Sequence, residues 1–276
     1  MKVKANQIIK YDSGTKESRA DLLAVEEPLE IRLTFKEDSK FVERALSVTM
    51  RTPGSDKELA MGFLITENII ASKEDVISIE YCLNVPPESE ENVIKIALAE
   101  HVELDWNKFQ RNFYTNSSCG VCGKSALESI SCNVPISKKE KRFLDMDLNA
   151  INDRIFESQG TFKHTGGIHA AALLDFNGKI LEVREDIGRH NAVDKIIGSA
   201  VLGEIELGDK VLWLSGRSGF ELIQKAIVSR IDMVISVGAP SSLAVELAED
   251  HNLILLGFNR NNSFNIYSGS SRCVFE

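Results

Sequence analysis

Two thiols, Cys119 and Cys122, sit three residues apart in the run Ser118-Cys119-Gly120-Val121-Cys122-Gly123, each followed by glycine. A structural zinc site draws four ligands, usually from two such pairs, and a secreted disulfide framework packs more cysteines into a shorter chain. The sequence has five cysteines in 276 residues and no second pair at this spacing. Sulfur chemistry is therefore the leading reading. Thiolate is the reactive form, and a helix over 124–131 would aim backbone N–H groups and the positive end of its dipole at the pair. Lys124 adds a neighbouring positive charge. Two competing readings stand beside this one: half of a zinc knuckle, and a thioredoxin-like redox switch. Cys132, His164 and His169 offer the first no standard ligand spacing, and no early βαβ unit precedes the motif to support the second. Cys82, Cys132 and Cys273 read as small side chains in apolar surroundings, as in a reducing compartment.

Four further stretches concentrate polar side chains, three of them together with glycine. Thr165-Gly166-Gly167-Ile168-His169 is a turn into a strand, and its paired glycines permit close backbone approach to a ligand. Asp186-Ile187-Gly188-Arg189-His190 crowds charge at a helix start, where a salt bridge is the plainer reading. Ser215-Gly216-Arg217-Ser218-Gly219 follows the apolar run Val211-Leu212-Trp213-Leu214 and opens a helix whose first N–H groups can hold an anion. Phe258-Asn259-Arg260-Asn261-Asn262-Ser263, taken alone, is a polar hairpin loop.

The elements that would carry these stretches follow from periodicity. Strand-like runs at Leu22–Val25, Leu29–Phe35, Leu46–Arg51, Val76–Leu83 and Val93–Ala99 are interrupted by one helix. Ser55-Asp56-Lys57-Glu58 has the spacing of a capping box for that helix. Residues 1–115 thus read as a small α+β domain, and 116–146 as the Cys-x-x-Cys loop with a charged connector. Residues 147–276 read as a second domain. It has a helix from Leu148 to Gln159 and a hairpin whose Asn177-Gly178 favours a tight primed turn. A helix follows from Asn191 to Leu202, and then strands at Lys210–Leu214, Met233–Val237 and Leu253–Phe258 alternate with helices at Phe220–Arg230 and Ser241–Asp250. Two consecutive strand–helix–strand crossovers imply parallel strands, so the fold class is α/β, α+β overall. Trp106 and Trp213 are assigned to packing.

Lysine and arginine number 32 against 41 aspartates and glutamates, a net charge of −9. That balance argues against wholesale nucleic-acid binding. No apolar run is long enough to span a bilayer or serve as a signal peptide, which gives a soluble, cytoplasmic expectation.

The Cys-x-x-Cys run resembles the FdhD family of formate dehydrogenase accessory sulfurtransferases when taken in fixed order with Thr165-Gly166-Gly167-Ile168-His169-Ala170-Ala171, Glu185 through Lys195, Ser215-Gly216-Arg217 and Phe220-Glu221. The likeness covers nearly the whole chain. It implies a sulfurtransferase that accepts sulfur from a cysteine desulfurase as a persulfide on Cys119, with Cys122 assisting either as a relay or by attacking the inner sulfur. It also implies transfer to the molybdenum cofactor of formate dehydrogenase in its bis(molybdopterin guanine dinucleotide) form, a homodimer, and a cytidine-deaminase-like fold in the C-terminal domain.

In zinc deaminases, helix starts carry His-x-Glu and Pro-Cys-x-x-Cys. Here the corresponding places hold His190-Asn191-Ala192 and Ser215-Gly216-Arg217-Ser218-Gly219, so the acid/base glutamate and both cysteines are missing. Deamination is opposed and no metal is expected. The resemblance assigns the cofactor site to Phe258, Asn259, Arg260, Asn261, Asn262 and Ser263, with His169, Asp186, Arg189, Ser215 and Arg217. In that frame Arg189 and Arg260 would hold phosphate and Asp186 would read guanine N–H groups. Arg184, Arg189, Lys195, Arg217 and Arg260 should then gather into one positive patch. The alternative is a non-catalytic chaperone that binds the finished cofactor without touching sulfur.

Overall fold

The computed structural model describes residues 2–104, 106, 142–143, 146–261 and 263–274. Cys119, Cys122, Cys132, the helix expected over 124–131 and Asn262 lie outside the described residues.

The chain opens with a hairpin of β1 (Val3–Asp12) and β2 (Thr15–Ala24), then β3 (Glu27–Glu37), β4 (Lys40–Arg51), α1 (Asp56–Thr66), β5 (Val76–Tyr81) and β6 (Val93–Leu98). Strands β3 to β6 form a sheet in the order β4-β3-β6-β5, with β3 and β6 parallel and the outer pairs antiparallel. The capping box expected at Ser55 is not made. Ser55 takes a left-handed φ of 58° with no side-chain cap. The Glu58 carboxylate accepts from both Arg184 Nε and Nη2 and from the Ser55 side chain.

After the short strand β7 (Arg142–Phe143), the second half runs α2 (Leu148–Ser158), α3 (Gly160–Thr165), β8 (His169–Leu174), β9 (Ile180–Asp186) and α4 (Arg189–Leu202). It continues through β10 (Val211–Leu214), α5 (Phe220–Val228), β11 (Met233–Ser236), α6 (Ser242–Asp250), β12 (Ile254–Arg260), β13 (Ser263–Ser268) and β14 (Cys273–Val274). A six-stranded sheet forms in the order β13-β12-β11-β10-β8-β9, with β10, β11 and β12 parallel as the two crossovers require. The β8–β9 turn departs from the primed expectation. Gly178 N–H bonds the Asp175 carbonyl at 3.1 Å, and among Phe176, Asn177 and Gly178 positive φ falls on Gly178, at 75°. That is a three-residue loop with a glycine bulge, fixed by the Asp175 carboxylate accepting from the Asn177 and Lys179 N–H groups.

Side chains alternate across the sheet. Ala171, Leu173, Leu212, Leu214, Val234 and Leu255 face α4, α5 and α6, while Ala170, Ala172, Val211, Trp213, Met233 and Ile235 face Ile151 and Ile155 of α2. The first of these layers is continuous with β3, β6 and α1, so one apolar cluster runs through both halves of the chain. The seam is α1 against α4. A Cβ on Gly62 would lie 1.8 Å from the Asp194 carbonyl oxygen, and one on Gly198 would lie 1.8 Å from that of Glu58. Only glycine permits the two helices to approach so closely. Beside the seam, the buried Lys225 ammonium touches both Asp194 oxygens at 3.0 Å, Thr66 Oγ1 at 2.8 Å and Glu67 at 3.0 Å. Burial alone would lower the Lys225 pKa, but Asp194 and Glu67 more than offset it and hold the amine charged. No described helix is long and apolar enough to cross a membrane.

Candidate functional site

In open α/β sheets, ligands settle outside the carboxyl ends of the parallel strands. A cavity of about 860 Å³ occupies that position here. Trp213 and Ser215 reach it from the end of β10, Val237 from the end of β11, and Asn259, Arg260 and Asn261 from the end of β12. Helix α2 contributes Asn149, Asn152, Asp153 and Phe156, spaced i, i+3, i+4 and i+7 along one face while Ile151 and Ile155 bury the other. The loop Gly166-Gly167-Ile168-His169 closes one side, and Gln159, Phe162 and Ile187 complete the wall. Gly166 ends α3 at φ 62°, the left-handed conformation in which glycine carries no penalty.

The β12 end is strained where it meets the cavity. Phe258 has φ 54°, costly for a bulky residue, and the register with β13 shifts between Gly257 and Arg260. The bulge turns Asn259 inward to 1% exposure and leaves Phe258 37% exposed, with the Arg260 guanidinium 5.7 Å from its ring centre. Asn259 is then fixed by Asn152. Its Nδ2 donates to Asn152 Oδ1 at 3.0 Å, its carbonyl accepts from Asn152 Nδ2 at 3.2 Å, and Trp213 Nε1 donates to the same Asn152 Oδ1 at 2.8 Å. One amide thus ties α2 to β10 and β12. Trp213 packs as expected but also forms cavity wall.

His169 sits against the β10–α5 turn, where a Cβ on Gly216 would come 3.4 Å from its Nδ1. Burial first, then the positive charge of Arg189 and His190, push the His169 imidazole below the ordinary histidine range, with Asp186 acting the other way. Ser215 Oγ accepts from the Ala170 N–H at 2.9 Å and keeps its own proton free to donate.

Of the residues expected in the site, His169, Ser215, Asn259, Arg260 and Asn261 line this cavity. Asp186 does not. It is fully buried, lies 2.6 Å from the Lys195 ammonium, and accepts from the Thr52 and Gly188 N–H groups and from Asn191 Nδ2. Its carboxylate organises the start of α4 and has no face left for a ligand. Arg189 and Arg217 are outside the wall, and Ser263 pairs across the hairpin with Arg260. The expected positive patch is not assembled as one surface. Arg184 is engaged by Glu58, Glu182 and Ser199, and Lys195 is enclosed with Asp186.

At the place compared with deaminase helix starts, His190 Nε2 meets Glu221 at 2.8 Å, joining the first turns of α4 and α5. Among the described residues no cluster of three His, Cys, Asp or Glu side chains is grouped to hold a metal ion. The α2 face was missed from sequence, although its mixed amide, carboxylate and aromatic stripe at helical spacing is unlike a solvated surface.

The architecture is that of an α/β protein presenting a polar, aromatic-walled pocket at the carboxyl ends of a mixed sheet. Within that class the chain belongs to the FdhD/NarQ family, whose family model matches residues 24–274. It is 42% identical over 98% of its length to the sulfur carrier protein FdhD of Streptomyces coelicolor, covering 95% of that protein. It is 45% identical to the one of Mycobacterium tuberculosis, over 92% of both chains. To the one of Sulfolobus acidocaldarius it is 38% identical over 99% of both. The crystal structure of a candidate formate dehydrogenase accessory protein from Desulfotalea psychrophila has the same fold, with a TM-score of 0.72, 20% identity and 99% coverage of each chain.

Proposed function

We propose that this chain is a sulfur carrier that receives sulfur from a cysteine desulfurase as a persulfide on Cys119. It then hands that sulfur to the bis(molybdopterin guanine dinucleotide) form of the molybdenum cofactor for formate dehydrogenase. One observation carries the reading: the chain belongs to a family whose relatives, 38% to 45% identical over nearly their full length, are named sulfur carrier proteins. It also holds the Cys119-Gly120-Val121-Cys122 pair that such a role requires. The Cys119 thiolate attacks the outer sulfur of the donor persulfide, a new S–S bond forms, the donor's S–S bond breaks, and the donor cysteine leaves as thiolate. No external oxidant or reductant enters that step. Cys119–S–SH then holds the transferable atom, and Cys122 is the adjacent thiol that can relay or expel it.

The cofactor is the acceptor substrate. A cavity of about 860 Å³ falls within the range of small-molecule pockets, about 300–1,000 Å³, and suits one nucleotide half of so large a molecule. Asn149, Asn261 and Arg260 on the wall supply donors and acceptors for such a ligand, while Asn152 and Asn259 hold the wall in shape.

The test is to incubate the protein with a cysteine desulfurase and cysteine and to weigh the Cys119–Cys122 peptide. One added sulfur is expected, lost in Cys119→Ala together with the ability to activate formate dehydrogenase. Absence of added sulfur in a protein that still binds guanine nucleotide would support the cofactor-binding chaperone instead.

A further inference from the structure

The cavity wall is uneven in charge. Among its described lining residues Asp153 is the one carboxylate and Arg260 the one permanent cation. Nearby carboxylates are already committed: Asp186 to Lys195 and the start of α4, and Glu185 to the Thr161 and Phe162 N–H groups at 3.0 and 2.8 Å. The Asp153 carboxylate, on the exposed face of α2, makes no hydrogen bond or ion pair with a described residue. The adjacent Arg154 bonds the Ala150 and Gly178 carbonyls instead. On the same face of α2, one turn on, Phe156 stays 49% exposed, edge-to-face with Phe162 at 5.7 Å. An uncommitted acceptor beside an open aromatic surface suits a flat heterocycle with adjacent N–H groups.

We propose that Asp153 reads the guanine edge of the nucleotide, with the base against the Phe156–Phe162 wall and the phosphates toward Arg260. This inference rests on the proposed function, which supplies guanine as the base. Guanine presents its ring N1–H and its exocyclic amine side by side, and one carboxylate accepts from both. Adenine offers a ring acceptor there, which repels the carboxylate. Hypoxanthine lacks the amine, and xanthine replaces it with a carbonyl. The substitution Asp153→Asn reverses the chemistry at that point, since an amide NH₂ donates to the xanthine carbonyl.

Calorimetric titration of the whole chain with GDP, IDP, XDP and ADP tests the assignment. The native protein should prefer GDP, with IDP weaker by about 10-fold and ADP and XDP weaker still. Asp153→Asn should lose about 10- to 100-fold in GDP affinity and gain affinity for XDP. That gain is a result no loss of folding can imitate. If the native protein and Asp153→Asn bind GDP equally, with the same order of preference, Asp153 is not the reader and the proposed function stands. Failure of the native protein to bind GDP at all would overturn the Asp153 assignment and the guanine subsite, while the sulfur added to the Cys119–Cys122 peptide decides sulfur carriage separately.

Discussion

The Asp186 carboxylate and the Lys195 ammonium meet at 2.6 Å, with side-chain exposures of 0% and 1%. Lys195 also donates to the Thr52 carbonyl at 2.8 Å, and Asp186 accepts from the Thr52 N–H at 3.1 Å. The pair therefore clamps the end of β4 to the first turns of α4. Removing one partner leaves the other charge buried and alone. Lys195→Met should cost about 3–5 kcal/mol in urea unfolding, while the folded fraction binds GDP as the native protein does. A comparable stability with weakened GDP binding would return Asp186 and Lys195 to the ligand site.

The α1–α4 crossing should be equally intolerant. Gly62→Ala and Gly198→Ala each drive a Cβ into backbone that no rotamer change can clear. Each should destabilise by about 1–3 kcal/mol or more, read as a lowered thermal midpoint. Ala at Gly219, where an added Cβ meets nothing within 4 Å, is the control and should shift the midpoint by far less.

The physical reason some elements were readable lies in where they bury their side chains. Val211–Leu214, Met233–Ser236 and the start of β12 are covered on both faces, so they stand out as apolar runs between helices. β1 was not recognised, and β2 only at its end through Leu22–Val25, because neither strand has a buried face. Ile9 and Tyr11 are 72% and 67% exposed among lysines and glutamates, so no alternation marks the strands. The cavity wall was legible where its residues lie in glycine-rich turns, as with His169 and Ser215, or in a polar loop, as with Asn259. It was not where a regular helix supplies the wall, as with Asn152 and Asp153. Asp186 misled because a charged residue at a helix start is the same in sequence whether it faces a ligand or a buried lysine.

Asn152 holds the cavity together, and its loss should be visible spectroscopically. Asn152→Ala leaves the Trp213 indole N–H, on a side chain 3% exposed, and the Asn259 amide without their shared acceptor. A cost of about 1–3 kcal/mol is expected, with a shift in Trp213 fluorescence and weaker GDP binding. Unchanged fluorescence and affinity would show that the bulged end of β12 keeps its shape without α2.

Tyr81 provides an alkaline probe of the first half. Its hydroxyl donates to Asp56 Oδ2 at 3.0 Å, and burial, reinforced by the Asp56 charge and that hydrogen bond, raises its pKa to about 12. A raised folded-state value means that the folded chain holds its proton more tightly. The stability so gained is complete below the ordinary tyrosine value, about 10, and is lost as pH climbs through about 12. Ultraviolet titration of native protein against Tyr81→Phe should reveal one phenol ionising near 12. A difference spectrum centred near 10 would place Tyr81 free of Asp56.

His169 makes the corresponding test at the cavity. Its imidazole is pushed below the ordinary value of about 6.5 by burial and by the positive charge of Arg189 and His190, so it is neutral at physiological pH. A lowered folded-state value gives stability that is present above about pH 6.5 and is lost as pH falls through the folded pKa. A nucleotide phosphate in the cavity would act in the opposite sense, favouring the imidazolium and drawing a proton from solution on binding. His169 protonation should therefore strengthen GDP binding as pH is lowered from about 7.5 toward the folded His169 pKa, against the weakening that protonation of the nucleotide's terminal phosphate brings. His169→Gln should remove the strengthening and leave the opposing trend of the phosphate. The C–H resonance of His169, followed by NMR with and without GDP, separates the two contributions: its midpoint should lie below that of free histidine in the empty protein and rise in the complex. A midpoint that GDP does not move would put the phosphates away from His169 and leave Arg260 as their anchor.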